Sequence, residues 1–151
     1  MVKQRPAVRM PRRTGDSWLS FASGPFGYWA LSQIADGRLR VEAYLDCGDR
    51  ERNKRLLDEL AADREAWDAR TGLSLCFERL DAKKASRIAV YRQLDLSEGA
   101  DRVQRRAVVD WAARALVAML DALNEPLRAR AKELRAEAAG RPPEPLAIPA
   151  P

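Results

Sequence analysis

The stretch from Arg38 to Tyr91 alternates apolar side chains with charged or aromatic ones, and this pattern constrains the fold more than any other. At 40–46 the sequence Arg-Val-Glu-Ala-Tyr-Leu-Asp places Arg, Glu and Tyr two residues apart. Successive side chains of a β-strand point to opposite faces, so this strand has one apolar face and one mixed face. The sequence Ser-Arg-Ile-Ala-Val-Tyr at 86–91 repeats the pattern. The chain therefore folds around a sheet whose two faces differ in chemistry.

An Asp-Gly pair at positions 36 and 37 predicts a β-hairpin between strands at 28–35 and 38–46. A two-residue turn of this composition needs positive φ at both central residues, which Asp and Gly tolerate. This turn length sets the register, which puts Tyr28 on the apolar face and Trp29 opposite Tyr44 on the mixed face. We therefore expect an indole ring and a phenol ring side by side on the mixed face.

The remaining pattern predicts helices that cover the apolar face. Large apolar residues recur at helical spacing between Asp49, a suitable N-cap, and Gly72, a suitable C-terminal stop. A second long helix is predicted from Asp101 to about Asn124. Further strands are predicted at 17–22, 73–80 and 86–93. The expected fold class is α+β: a two-layer sandwich with two long helices on one face of a mainly antiparallel five-stranded sheet.

Composition changes along the chain predict one domain with three flanking segments. We expect a disordered basic tail at 1–15, a single α+β domain at 16–125, a helical extension at 126–139 and a disordered Pro-rich tail at 140–151. Pro126 is expected to kink or restart the second helix. Beyond it the apolar line is thin, which favours a solvated arm; its members are Leu127, Ala131 and Leu134.

The residue counts exclude several kinds of site. Histidine is absent, which excludes Ser-His-Asp and Cys-His catalytic pairs and His-ligated metals. Cys47 and Cys76 are too few for a zinc site of Cys and His, and we expect both thiols to be buried and reduced. No cofactor or metal is indicated. No apolar run approaches the roughly 18 residues of a membrane span, and no export signal is present, so we expect a cytoplasmic protein.

The excess positive charge is concentrated at the N-terminus. Five cations and no acid occur in the first 13 residues, and the rest of the chain has equal numbers of basic and acidic side chains. Such a tail either contacts phosphates or acts as a disordered, solubilising segment. The cations are Lys3, Arg5, Arg9, Arg12 and Arg13.

Three segments resemble a bacterial family called domain of unknown function 4268. They are the strand at 40–46, Gly-Asp with Glu-Arg-Asn-Lys at 48–54, and Glu-Arg-Leu-Asp with Lys83 and Ala-Ser-Arg-Ile-Ala at 78–89. The opening Trp-Leu-Ser-Phe at 18–21, with Gly24 and Gly27, is similar as well. Members are often found C-terminal to a restriction-endonuclease-like domain and sometimes alone. We expect a stand-alone copy here, because the residues before Trp18 leave no room for a nuclease domain.

That resemblance implies company with DNA-processing proteins without implying that this module cuts DNA, and no catalytic residue carries over from it. We therefore expect a non-catalytic accessory module that recognises nucleic acid, a nuclease or another DNA-processing protein through the mixed face. Aromatic and Arg side chains together suit base stacking and protein interfaces alike. The candidate binding residues are Trp29, Arg40, Glu42, Tyr44, Arg87 and Tyr91.

Three alternatives stay open. A metal-dependent nuclease or phosphodiesterase would use Glu42, Asp46, Asp81 and Lys83, although Asp81 and Lys83 are predicted in a turn rather than on a strand. A self-assembling module would pair the Ala-rich second helix with that of another copy. The plainest alternative is that Arg40 with Glu42, and Glu78 with Arg87, form ion pairs on a solvated sheet.

Overall fold

The computed structural model describes residues 18–34, 37–93 and 102–140. The strands β1 to β5 form one antiparallel sheet in the order β1-β2-β3-β5-β4, and with three helices they confirm the predicted α+β class. The tails predicted at 1–15 and 140–151 lie outside the described residues, except for Gly140. The elements are β1 (Trp18–Ala22), β2 (Gly27–Gln33), β3 (Arg38–Leu45), α1 (Arg50–Ala61), α2 (Arg64–Thr71), β4 (Cys76–Glu78), β5 (Ser86–Gln93) and α3 (Arg102–Gly140).

One hydrophobic core lies between the sheet and the helices. Alternate residues of the central strands, among them Val41, Ala43 and Ile88, are fully buried and supply the sheet side of this core. The helices supply the other side through stripes at three- and four-residue spacing. These stripes contain Leu56, Leu57 and Leu60 of α1, Trp67 of α2, and Ala112, Ala115, Met119 and Leu123 of α3.

The hairpin between β2 and β3 has a longer loop than the sequence predicted. The Ile34 N–H donates to the Arg38 oxygen over 2.9 Å, so three residues rather than two separate the strands. Gly37 has a φ of +79°, the left-handed conformation that closes a three-residue hairpin loop. One extra loop residue shifts the register by one and reverses the face of every β2 side chain relative to β3. As a result, Tyr28 faces Tyr44 and Trp29 faces Ala43.

Trp29 therefore lies in the core, and its predicted place on the mixed face is wrong. Its side chain is 1% exposed and meets the Phe26 ring edge to face at 5.9 Å. The indole Nε1–H donates to Oδ1 of Asn124 on α3 over 3.0 Å. A buried indole needs such a partner, and α3 supplies it from the far side of the core.

The predicted first helix and fourth strand are both shorter than expected. The helix predicted to span 49–71 divides into α1 and α2, and the Asp63 carbonyl accepts the N–H groups of Ala66 and Trp67 in the first turn of α2. The strand predicted at 73–80 is reduced to β4. The Leu75 N–H donates to Asp68 Oδ1 over 3.0 Å instead of to β5. After β4, Leu80 has a φ of +54° and begins a turn.

Helix α3 continues through Pro126 without a break. Leu127, Ala131 and Leu134 are at most 2% exposed and belong to the same core, so the predicted solvated arm is wrong. A proline inside a helix costs about 3 kcal/mol. Burying two Leu side chains contributes about 3–6 kcal/mol, enough to offset that cost. The boundary predicted between 125 and 126 therefore does not coincide with a break in the helix.

A candidate binding face on the open side of the sheet

One face of the sheet carries polar and aromatic side chains, and we call it the mixed face. None of its residues belongs to the hydrophobic cluster that the three helices share. Within the described part of the chain, the helices therefore leave this face uncovered. Its residues include Ser20 and Ala22 of β1, Tyr28, Ala30 and Ser32 of β2, Arg38, Arg40, Glu42 and Tyr44 of β3, Arg87, Ala89, Tyr91 and Gln93 of β5, and Cys76 and Glu78 of β4.

The register places the mixed face in rows that cross the strands about 7 Å apart: three adjacent rows, and a fourth beyond them that contains Arg38 and Gln93. The middle row of the three is Ser20, Ala30, Glu42, Ala89 and Cys76. One outer row contains Tyr28, Tyr44, Arg87 and Glu78, and the other contains Ser32, Arg40 and Tyr91. Because two alanines flank Glu42 between rows of longer side chains, the middle row is lower than its neighbours, and we call it the central trough. Ala30, Glu42 and Ala89 are buried at its base.

Two arginines converge on the carboxylate at the base of the central trough. Glu42 Oε2 lies 2.9 Å from Arg40 Nε and 2.7 Å from Arg87 Nε. These are ion-pair distances, but neither contact has the direction of a hydrogen bond, so the three atoms are buried without a hydrogen-bond partner in the described structure. Charge rather than directed hydrogen bonding therefore holds the Arg40–Glu42–Arg87 cluster together.

Burial governs the electrostatics of this cluster. It raises the pKa of Glu42 above the ordinary value, against the opposing charges of Arg40 and Arg87. For Arg87 burial acts in the opposite direction, but a hydrogen bond with Tyr91 and the charge of Glu42 outweigh it and raise its pKa. Arg87 Nη1 also lies 3.5 Å from Glu78 Oε1. The cluster is therefore a buried, charged unit on an otherwise open face.

Tyrosine rings border the central trough on both sides. Tyr28 and Tyr44 stack on each other with their centroids 4.8 Å apart and their planes at 23°. Across the trough, the Arg38 guanidinium lies over the Tyr91 ring at 4.4 Å, and the Tyr91 hydroxyl donates to Glu78. Burial is the main cause that raises the pKa of Tyr28 and of Tyr91. Both hydroxyls are therefore neutral at physiological pH.

The structure brings together five of the six residues predicted to bind a partner. Arg40, Glu42, Tyr44, Arg87 and Tyr91 share the mixed face, with Arg40 directly opposite Tyr91 and Tyr44 opposite Arg87. The sixth, Trp29, is on the other face.

The aromatic residue that sequence reasoning missed is Tyr28. The signal that would have found it is Gly37, which suits the left-handed position of a three-residue loop as well as a two-residue turn. The ion pairs expected from Arg40 with Glu42 and from Glu78 with Arg87 are both present. The surface is not a solvated one, however, because Glu42 is buried.

The residues of the nuclease alternative are dispersed. Glu42 is buried in the central trough, and Asp46 is exposed after the end of β3. Asp81 and Lys83 are exposed in the turn after β4, as the sequence predicted, and Asp81 pairs with Arg79 at 2.8 Å. In the described ranges, no three Asp, Glu or Cys side chains come close enough to hold a metal ion.

The motif residues on α1 hold a loop in place, and we call this region the α1–loop junction: Asn53, Lys54 and the loop at 79–85. Lys54 Nζ donates to Ala85 O over 2.6 Å, to Leu80 O over 2.9 Å, to Arg79 O and to Ser86 Oγ. Asn53 Nδ2 donates to Lys84 O over 3.2 Å, and its Oδ1 accepts the Cys47 N–H over 2.7 Å. These residues of the family-like motif are therefore architectural.

The cysteines and the helices add two further findings. Both thiols are free, but Cys76 is exposed, contrary to the predicted burial, and Cys47 is half-buried. Burial is the main cause that raises the pKa of each thiol. Of the helices described, none combines the length and the apolar character that a membrane crossing requires.

Comparison with known proteins gives one match. A family model described as a domain of unknown function (DUF4268) matches residues 2–127, most of the chain. The match includes all the strands, α1, α2 and α3 as far as Leu127, and so the whole mixed face. No curated protein and no solved structure matches the chain.

Proposed function

Since this chain belongs to the DUF4268 family of domains of unknown function, we propose its function from the geometry of the mixed face. It is a non-catalytic accessory module of DNA processing or restriction-type defence, and it binds single-stranded nucleic acid through that face. The observation that carries this proposal is the stacked pair Tyr28 and Tyr44 beside Arg87, on a sheet face that the helices leave uncovered.

An open sheet face with aromatic and arginine side chains suits unpaired bases. Bases that are not in a duplex stack on aromatic rings and on guanidinium planes, and every base presents such a surface. Tyr28 and Tyr44 offer rings on one side of the central trough, and Tyr91 with Arg38 offers a ring and a guanidinium on the other. A single strand that crosses the sheet could therefore stack its bases on both sides of the central trough.

The charge of the mixed face limits how much of the affinity comes from phosphates. Three arginines stand against two glutamates there: Arg38, Arg40 and Arg87 against Glu42 and Glu78. Each phosphate neutralised on a single strand contributes about 0.7 to the slope of log affinity against log salt. A net charge of +1 corresponds to about one neutralised phosphate and predicts a slope of about 0.7, so base stacking has to supply most of the affinity.

The same charge balance favours a second candidate, a protein partner such as a nuclease. Arginine and tyrosine are also the residues that dominate protein interfaces, where charge is balanced rather than uniformly positive. Glu42 and Glu78 already pair with Arg40 and Arg87. Self-association through the second half of α3 has no such support, because Leu127, Ala131 and Leu134 are used in the protein's own core.

The test measures the binding of labelled single-stranded oligonucleotides by fluorescence anisotropy at increasing salt concentrations. The variants Tyr28→Leu and Tyr28→Phe form a matched pair, because Leu removes the ring and Phe keeps it. Loss of one stacked base is expected to weaken binding about tenfold for Leu and to leave Phe close to wild type.

Deleting residues 1–13 separates the face from the basic N-terminus. If the mixed face binds the oligonucleotide, Tyr28→Leu should still weaken binding in the truncated protein. The log of its affinity should fall only slowly with the log of the salt concentration. Absence of binding by both constructs at low salt would exclude nucleic acid and leave the protein partner. Binding that vanishes with residues 1–13 and ignores Tyr28→Leu would assign the activity to the tail instead.

A further inference from the structure

The Arg40–Glu42–Arg87 cluster is incomplete as a hydrogen-bonded unit. Buried polar atoms in proteins almost always have a hydrogen-bond partner, and an exception calls for an explanation such as a bound group. Here Arg40 Nε, Glu42 Oε2 and Arg87 Nε are all buried, and none has a correctly directed hydrogen bond in the described structure. Three of the six such atoms in the described structure therefore occur together, at the base of the central trough; the other three are Ser23 Oγ, Ser32 Oγ and Trp67 Nε1.

Arg40 and Arg87 have N–H donors that Glu42 does not use. A guanidinium has five N–H donors in a fixed fork, and Glu42 makes its closest approach to each arginine at Nε. The terminal nitrogens of Arg40 have no partner among the described residues, and its side chain is 18% exposed. Arg87 is more enclosed at 10%, and its Nη1 is 3.5 Å from Glu78. Glu42 thus fixes both guanidiniums beside the trough; the terminal nitrogens of Arg40 are left to a ligand, whereas those of Arg87 are shared with Glu78 and Tyr91.

The charge of the cluster defines the ligand that would complete it. Two guanidiniums and one carboxylate give the cluster itself a charge of +1 in a largely buried setting, which Glu78, 29% exposed and 3.5 Å from Arg87 Nη1, offsets in part. One monoanion with several oxygen acceptors balances that charge and accepts from both forks. A phosphodiester of a nucleic-acid backbone is such a group, and the flanking tyrosines lie where the neighbouring bases of the same strand would stack.

We infer that the central trough is a phosphodiester-binding site in which Arg40 and Arg87 hold one backbone phosphate and Glu42 is a positioning residue. This inference rests on the proposed function for the source of the phosphate. Arg130 shows what a saturated arginine looks like in the same chain. Its Nε and Nη2 donate to both oxygens of Glu59 over 2.6 and 2.9 Å, and its Nη1 donates to Glu133.

The first experiment tests the site without nucleic acid. Dimethyl phosphate, a bare phosphodiester, is titrated into ¹⁵N-labelled protein while the Arg Nε–H resonances are recorded. Saturable shifts are expected at Arg40 and Arg87 and none at Arg130. Equal shifts at all three, or none, would overturn the site. Shifts with acetate but not with dimethyl phosphate would replace the phosphate by a carboxylate, as from a protein partner.

The second experiment connects the site to the strand. Oligothymidylates of about six nucleotides are compared with a normal and with an uncharged methylphosphonate backbone. Loss of a charge-assisted contact is expected to weaken binding about tenfold for the uncharged backbone. In Arg40→Met the two backbones should bind alike, whereas Arg55→Met, which removes an exposed arginine of α1, should keep the difference.

The outcomes separate the two proposals. If wild type binds both backbones equally while Tyr28→Leu weakens both, the mixed face binds nucleic acid and the phosphodiester site is wrong. If neither oligonucleotide binds but dimethyl phosphate still shifts Arg40 and Arg87, the site stands and the proposed function fails. Far-UV circular dichroism of Arg40→Met, and of Arg40→Lys, which keeps the charge but not the fork, excludes misfolding as the cause.

Discussion

The α1–loop junction and the Arg40–Glu42–Arg87 cluster are both buried and charged, yet they differ in how completely they are satisfied. They depend on consecutive residues of β5 that face opposite ways: Ser86 accepts from Lys54, and Arg87 pairs with Glu42. The Lys54 ammonium has three N–H donors and four oxygen acceptors around it. In the cluster, by contrast, both arginine Nε atoms and Glu42 Oε2 lack directed hydrogen bonds.

This difference indicates that the α1–loop junction stabilises the fold, whereas the Arg40–Glu42–Arg87 cluster binds a ligand. A buried polar group that is fully hydrogen-bonded stabilises one arrangement of the chain, and here it fixes the loop at 79–85 against α1. A buried ion cluster with free donors contributes little net stability, because desolvation offsets its Coulomb energy. Its retention at the base of an open trough is better explained by a ligand. Substitutions in the two regions should therefore have different consequences.

The largest effect is expected for Lys54→Met. The Met side chain fills the space of the lysine stem, but the Ala85 carbonyl loses its donor in a buried position, whereas the Arg79 carbonyl keeps the Ser86 hydroxyl and the Leu80 carbonyl keeps the Lys83 N–H. An orphaned carbonyl costs about 1–3 kcal/mol and each lost hydrogen bond from a charged donor about 1.5–3 kcal/mol, so the free energy of unfolding should fall by about 3 kcal/mol. Urea denaturation measures this, with the exposed Lys84→Met as a control within about 0.5 kcal/mol of wild type. A small change in Lys54→Met would show that the loop does not depend on α1.

The next effect distinguishes a broken cluster from a removed one. Arg87→Met leaves Glu42 buried with only Arg40, and the free energy of unfolding should fall by about 2 kcal/mol. The triple variant Arg40→Met, Glu42→Leu, Arg87→Met removes every buried charge of the cluster. Its stability should equal or exceed that of wild type, as for other apolar replacements of buried ion clusters, while oligonucleotide binding is lost. A triple variant less stable than Arg87→Met would make the cluster architectural after all.

The third prediction concerns pH. Burial raises the pKa of Glu42 above 4.5, so between 4.5 and its folded pKa the folded protein holds a proton that the unfolded chain has released. Stability from this group is therefore highest at low pH, falls as pH rises through that interval and is level above it. Melting temperatures from about pH 3 to about pH 7 should show this loss in wild type and not in Glu42→Gln.

Glu59 is the control of opposite sign. A hydrogen bond from Arg130 is the main cause that lowers the pKa of Glu59, so its stabilisation is present above 4.5 and is lost as pH falls through the folded value. Glu59→Gln should remove that low-pH loss. If Glu42→Gln and Glu59→Gln change the profile in the same direction, the contrast between the two carboxylates is wrong.

The sequence predicts the positions that depend on local strand periodicity. It does not predict those that depend on loop length or on packing across the core. Arg40, Glu42 and Tyr44 share a face because strand periodicity alone puts them there. Whether Tyr28 or Trp29 lies on the mixed face depends on whether the hairpin loop has three residues or two. Both lengths suit an Asp-Gly pair followed by a strand. The burial of Leu127 and Leu134 depends on packing across the core, which no local spacing near Pro126 reveals.

The smallest expected effect uses Cys76, which ends the middle row of the mixed face beside Ala89. It is exposed, but burial of the thiol and the charge of Glu78 raise its pKa, so alkylation should be slow at neutral pH and accelerate as pH rises.

A strand bound in the central trough should slow alkylation of Cys76 a few-fold. Cys47, whose thiol and N–H are tied to Asn53 at the α1–loop junction, should react at an unchanged rate. Measuring each thiol alone, in Cys47→Ser and in Cys76→Ser, separates the rates. Equal protection of both would indicate a general stabilisation by ligand rather than occupation of the trough.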